Sequence, residues 1–349
     1  MAKMMIIDKN NPLYLEDLNY STAVTGIEQI YNKKFLITGA TGLIGSFLID
    51  ALMFLNRGGA NISIIAVGRS KDKAKEKLGE YFDNSNFRFL EQDVRVPFPT
   101  DLEVDYIIPL ASNTHPLAYS QYPVETIEIN VKGAENALKL AIDSNSIVLY
   151  PSSVEIYGNA RNDDVFNELY TGELNLKNSR SCYPESKRLC EALCQSYINE
   201  FGANVKIVRL CRIIGPTMLI DDSKASSQFI KKAINNEDVV LKSKGNQYYS
   251  YLYVADAISA MLMVLLYGEK GRAYNISNEK CNVSLKEFAS ICAEQACRNV
   301  VFDIPMEVEQ KGYSIAMKAI LDNTLIRSLG WTPYYDIKNS IKRTIHILK

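Results

Sequence analysis

Six short runs, apolar almost throughout, punctuate the first two thirds of the chain: KKFLIT (33–38), ISIIAV (62–67), FRFLEQ (87–92), VDYIIPLA (104–111), SIVLYP (146–151) and VKIVRL (205–210). Stretches with helical periodicity separate them. Strands without polar alternation are buried on both faces, and their alternation with helices predicts an α/β fold with a doubly wound parallel sheet. After Arg212 the alternation loosens. SSQFIKKAI and SLKEFASICAEQA read as helices, while VVLK, YLYV and VVFDIP read as short strands, which predicts a smaller, mixed α/β C-terminal substrate domain. RAYNIS (272–277) reads as a strand returning to the first sheet, so the boundary is discontinuous. The layout expected is an N-terminal extension (1–30) without strong periodicity, packed on the body or partly mobile. A dinucleotide-binding domain follows over 31–212, with 251–278 added, and the substrate-binding domain takes 213–250 and 279–349.

Composition narrows the partners. With 39 basic and 40 acidic residues among 349, the overall charge points to neither nucleic acid nor an anionic membrane. The start MAKMMIIDKNNPLY lacks a signal-peptide core, and the apolar run AISAMLMVLLYG is too short to span a bilayer, so a cytoplasmic protein is expected. Seven cysteines include no C-x-x-C pair and read as reduced thiols, Cys190 and Cys194 facing the core. Two distant histidines, His115 and His346, argue against a metal site; His115 could touch substrate or cap its loop.

The strand-to-helix junction KKFLITGATGLIGSFLIDAL carries Gly39, Gly42 and Gly45. Glycine allows a tight turn and a close backbone approach to a pyrophosphate, whose charge the helix N-terminus then stabilises. This makes the fold Rossmann-like. The second strand ends in Gly68-Arg69-Ser70, with no carboxylate for a ribose 2′-hydroxyl. Arg69 could neutralise a 2′-phosphate, favouring NADP(H), or be a solvated loop residue. Asp93, at the end of the third strand, could meet the adenine or serve as a turn aspartate.

In RSCYPESKR (180–188), Tyr183 and Lys187 stand four apart, on one face of a helix. A nearby ammonium would lower the phenol's pKa toward the range of a general acid or base. Upstream, LYPSSVEIYG ends the fifth strand, where open α/β sheets place ligands, and offers Ser152, Ser153 and Glu155. The tyrosines 248, 249, 251 and 253 read as strand packing and not as a stacking platform for single-stranded nucleic acid.

On TGATGLIG, LASNTHPLAYSQYP, SSVEIYG and RSCYPESKR, the chain resembles the extended short-chain dehydrogenases/reductases, the NAD-dependent epimerase/dehydratase family, over about residues 33 to 345. QDVRVPF, the stretch from Leu110 to Gly133, and the closing LGWTPYYDIKNSIKRTI look most like UDP-glucuronate decarboxylases, with nucleotide-sugar 4,6-dehydratases next. The resemblance implies NAD as cofactor, a UDP-, dTDP-, GDP- or CDP-linked sugar as substrate, transient oxidation at sugar C4, and a homodimer. It implies a catalytic set of Ser153, Glu155, Tyr183 and Lys187. Taken with the residue readings above, the cofactor is expected against Gly39, Thr41, Gly42, Leu43, Ile44, Gly45, Arg69, Asp93, Val94, Leu110, Ala111, Ser112, Tyr183 and Lys187, and the substrate against Asn113, Ser152, Arg212, Thr217 and Tyr249.

The chain also departs from that pattern. Val154 stands where dehydratases have an acid and decarboxylases often a serine, Thr217 and Tyr249 replace expected arginines, Arg212 an asparagine, and no R-P-D occurs near 312–322. Arg212, Lys242, Lys244 and Lys318 are the candidates to supply the missing positive charge. Three functions compete: a redox-neutral decarboxylase, dehydratase or epimerase of a nucleotide sugar; an NADPH-dependent reductase of a nucleotide-activated keto sugar or ketose; and a non-catalytic nucleotide-binding scaffold.

Overall fold

The structure, a computed structural model, describes residues 7–114, 120–161, 164–304 and 317–349. Seven parallel strands form the main sheet: β1 Lys34–Thr38, β2 Ser63–Gly68, β3 Phe87–Glu91, β4 Tyr106–Pro109, β5 Ile147–Ser153, β6 Asn204–Leu210 and, from later in the chain, β10 Ala273–Ile276. Their order is β10-β6-β5-β4-β1-β2-β3, with the switch point between β1 and β4. RAYNIS thus enters the sheet beside β6, Ile276 opposite Leu210.

Strand side chains alternate between two cores. Phe35, Ile37, Ile64, Ala66, Ile108 and Leu149 face one, packed with Phe47, Leu48 and Leu52 of α2 (Leu43–Arg57). Leu36, Val67, Ile107, Val148, Val205 and Ile207 face the other, with Ala137 and Leu138 of a 22-residue helix, Pro123–Ser144, and Cys190 and Cys194 of a 20-residue helix, Cys182–Phe201. This two-sided burial is why these strands lack polar alternation.

The first helix, α1 (Pro12–Thr22), corrects the expectation of an aperiodic extension. Asn11 caps it, its side chain accepting from Leu13 N at 2.9 Å, and Pro12 opens it. Tyr14 and Leu18 are buried, but so are Asp17, Ser21 and Thr22, so the buried face is too polar to read as an apolar stripe. The Asp17 carboxylate accepts from Tyr253 Oη (2.5 Å), Tyr335 Oη (2.9 Å) and Arg343 Nε (2.8 Å).

The second lobe carries β7 (Arg212–Ile214), β9 (Tyr248–Tyr253), β11 (Asn282–Ser284) and β13 (Lys318–Ala319) in one small sheet, and β8 (Val239–Leu241) parallel to β12 (Val300–Phe302) in another. Residues 251–253 complete β9, so they belong to this small sheet and not to the dinucleotide domain expected to include them. Tyr249, Tyr251 and Tyr253 point into the core and Tyr248 outward; Tyr251 packs on Phe288 with ring centroids 4.8 Å apart.

Candidate active site

The C-terminal ends of β1 to β6 open into a cavity of about 1520 Å³, closed on its far side by β7, β9 and the segment 216–229. Every residue that the sequence assigned to cofactor, substrate or catalysis lines it. Of the proposed replacement cations, Arg212 and Lys242 are on its wall, whereas Lys244 and Lys318 are not.

The glycine loop is built for close approach. Gly39 has φ +64°, and a Cβ there would lie 2.8 Å from Ala111 N. A Cβ on Gly45 would meet Gly39 O at 2.4 Å. Gly42 is the N-cap of α2 and accepts from Ser46 N at 3.0 Å, leaving the helix's first N–H groups directed at the cavity end. This cradle, open to the cavity and made of backbone, fits a dinucleotide pyrophosphate. Ala111 N donates to Thr38 Oγ1 at 3.0 Å, joining the ends of β1 and β4 beneath it.

At the outer rim, Arg69 pairs with Glu125 (3.1 Å), and Asp93 pairs with Arg95 (2.7 Å), which holds the Asp93 carboxyl below its ordinary range. The Arg69 guanidinium therefore already faces a carboxylate.

The inner end holds the proposed acid-base group. Ser153 Oγ accepts from Glu155 N at 3.2 Å and is hydrogen-bonded to the Tyr183 phenol; Glu155 pairs with Arg180 at 3.2 Å. Burial, then the Glu155 charge, push the Tyr183 phenol well above its ordinary range, and the Ser153 hydrogen bond only partly opposes them. Lys187 is equally buried, which lowers its ammonium's pKa; Nζ donates to Pro151 O at 2.8 Å and lies 5.0 Å over the Tyr150 ring. Here the structure corrects the sequence reading. Helical spacing puts Tyr183 and Lys187 on one face, but the ammonium is drawn back to β5 and desolvation dominates the phenol.

Other assignments are also redirected. The Thr217 hydroxyl donates to Leu43 O at 2.7 Å, stitching the far wall to the first turn of α2 instead of facing substrate. Asn113 Nδ2 donates to Thr126 Oγ1 at 3.3 Å. Ser152 Oγ is buried with no partner among the described residues. His115 lies outside the described residues.

Sequence reasoning missed two groups. Asn130 receives Ser112 Oγ at 2.6 Å and donates to Ser186 Oγ at 2.8 Å, linking the β4 loop to the Tyr183 helix; one amide within EINVKG carries no pattern of its own. Lys77 donates to Thr217 O at 2.6 Å from a half-buried position, where desolvation of the ammonium pulls its pKa down to about 8. Among the described residues no cluster could hold a metal ion, and no helix is long and apolar enough to cross a membrane.

A doubly wound sheet, a glycine cradle at its first crossover and a Ser-Tyr-Lys group at its fifth strand define a Rossmann-type, nicotinamide-dependent enzyme of the extended short-chain dehydrogenase/reductase type. The chain belongs to the NAD dependent epimerase/dehydratase family, whose model matches residues 35–277. UDP-glucuronic acid decarboxylase 6 of Arabidopsis thaliana is 35% identical over 250 residues, covering 71% of this chain and 70% of the relative. UDP-glucuronic acid decarboxylase 1 of Xenopus tropicalis is 28% identical over 320 residues, covering 91% of this chain and 72% of that protein. In three dimensions the chain is similar to DesIV, the dTDP-glucose 4,6-dehydratase of Streptomyces venezuelae solved with NAD and TYD bound. The TM-score is 0.75 at 22% identity, over 90% of this chain and 96% of that one. At that identity the likeness speaks for the fold alone.

Proposed function

We propose that the protein modifies a nucleotide-diphosphate sugar by transient, internally reversed oxidation at the sugar's C4, with no net consumption of cofactor. The observation that carries this reading is the convergence of Ser153, Glu155, Tyr183 and Lys187 with the glycine cradle on one cavity. Decarboxylase relatives at up to 35% identity support it. The cofactor, when bound, accepts a hydride and gives it back.

The rest falls to the chain's own groups. Tyr183 exchanges a proton with the C4 oxygen, and Ser153, already bonded to the phenol, hydrogen-bonds the same oxygen. The raised pKa keeps the resting phenol protonated, so Tyr183 begins each cycle able to donate and needs added positive charge nearby before it accepts. Lys187, anchored on Pro151 O, holds that charge one helical turn away. Glu155 is kept in place by Arg180 and stands as the extra acid-base group for a step at C5. Val154 beside it is apolar, which favours decarboxylation or epimerisation over dehydration.

With a turned-over nucleotide sugar, the absorbance of reduced nicotinamide stays constant while product accumulates. Stoichiometric loss of added NADPH would instead establish a net reductase. Tyr183→Phe lowers kcat by about 10²- to 10⁴-fold with cofactor affinity retained; full activity in that variant would refute the mechanism.

The same reading includes a cytoplasmic homodimer. It is supported by seven free cysteines, and by Val124, Ile127 and Leu189 exposed on the helices 123–144 and 182–201. Light scattering that gives a monomer mass would remove the dimer.

A further inference from the structure

The arginines around the cavity and in the packed body almost all face a carboxylate. Arg180 pairs with Glu155, Arg209 with Glu191 (2.7 Å) and Arg343 with Asp17 (2.8 Å). Arg212 does not. Its guanidinium carbon lies over the Tyr249 ring, 3.5 Å from the centroid, and its Nη1 is shut off from solvent with no hydrogen-bond partner among the described residues. A buried charged donor without an acceptor is unfavourable, and a structure that keeps one has an acceptor that arrives from outside. Ser152, 4% exposed, presents a second unpartnered buried polar atom to the same cavity. Of the lysines on the same cavity, Lys224 pairs with Asp222 (3.7 Å), Lys232 with Glu237, and Lys77 with Thr217 O, while Lys242 stands exposed to solvent.

Position says what arrives. Arg212 follows by two residues Leu210, the cross-strand partner of Ser153, so it begins about 7 Å along the chain from the catalytic edge. An acceptor there belongs to the part of the substrate beside the reacting sugar and not to a remote base. We propose that Arg212, held against the Tyr249 ring and backed by the Ser152 hydroxyl, is the clamp for a substrate oxyanion next to the sugar, a glycosyl phosphate or a ring carboxylate. The planar fork suits either group, and the aromatic face holds it in position before the ligand enters. This inference deepens the nucleotide-sugar reading and rests on it for the identity of the ligand.

The test is calorimetric titration of the NAD-loaded full chain with UDP-glucose and UDP-glucuronate, in wild type, Arg212→Ala and Arg212→Lys. Arg212→Ala weakens binding about tenfold to a hundredfold, the worth of a lost charge-assisted hydrogen bond. Arg212→Lys restores only part of this, and NAD affinity stays at the wild-type value in both variants, which shows the fold intact. Equal loss for the two ligands places the clamp on phosphate; loss confined to UDP-glucuronate places it on the carboxylate. Unchanged affinity in Arg212→Ala overturns the proposal. If neither nucleotide sugar binds wild type, the functional reading falls and inorganic pyrophosphate decides the clamp. A thermal shift present in wild type and absent in Arg212→Ala sustains it, and any other result ends it.

Discussion

Along the wall that holds the glycine cradle the cavity is lined by backbone: Gly39, Gly42 and Gly45, the first turn of α2, and the loop at Ala111. On the opposite wall they come from side chains carried by short strands, Arg212 on β7 and Tyr249 on β9, and by the segment around Thr217 and Lys224. A backbone cradle demands only that side chains be absent at two or three points, so it persists while the rest of the sequence changes. A side-chain wall is rewritten by single substitutions. The glycine wall accordingly shows the T-G-x-x-G-x-x-G spacing intact, and the other wall carries Thr217 and Tyr249 where the resemblance led one to expect arginines.

Substitutions on each wall test this contrast. The largest effect is expected for Gly45→Ala, whose new methyl would stand 2.4 Å from Gly39 O. The loop must shift, and NAD affinity falls by at least about tenfold, the scale of one strong hydrogen bond lost at the pyrophosphate. Nucleotide-sugar affinity holds, and equal loss of both ligands would erase the distinction between the walls. Lys77 provides a pH signature. Its pKa is pushed from an ordinary 10.5 down to about 8 by burial, so between those values the unfolded chain binds the extra proton and stability rises with pH. Urea midpoints measured at the two ends of that window should show this rise in wild type and a smaller one in Lys77→Met. The mildest change is Thr217→Val, which cuts the stitch to Leu43 O and costs about 1 kcal/mol in chemical denaturation. Because it joins the walls, it should weaken both ligands slightly.

Much of this architecture was legible in the sequence for definite reasons. All seven predicted strands of the main sheet recur within two residues at either end, because burial on both faces imprints an apolar run on the inner ones; the edge strand β3 keeps Arg88 and Glu91 exposed. The glycine spacing announced the cradle, since only a missing side chain permits that approach. The second lobe was less legible. Its strands have two to six residues and are defined by partners far away, as when Lys318 pairs with Tyr248. Local pattern cannot reveal such pairing, and so Lys318 was expected at a wall it does not line. Nor does helical spacing reveal that Lys187 reaches for Pro151 O, or that Thr217 turns to α2. Helix α1 escaped notice because the inward position at 17 is an aspartate, matched only by residues over two hundred positions away.

That aspartate has a consequence for how the chain comes off the ribosome. Its partners Tyr253, Tyr335 and Arg343 are synthesised long after it, so a nascent chain that buried α1 early would bury an unneutralised carboxylate. Docking of α1 thus waits for the helix Ile337–Leu348, which carries Arg343, and the two close late as one clasp. A translation-arrested chain stopped before residue 337 should leave residues 12–22 open to protease while the main sheet resists it.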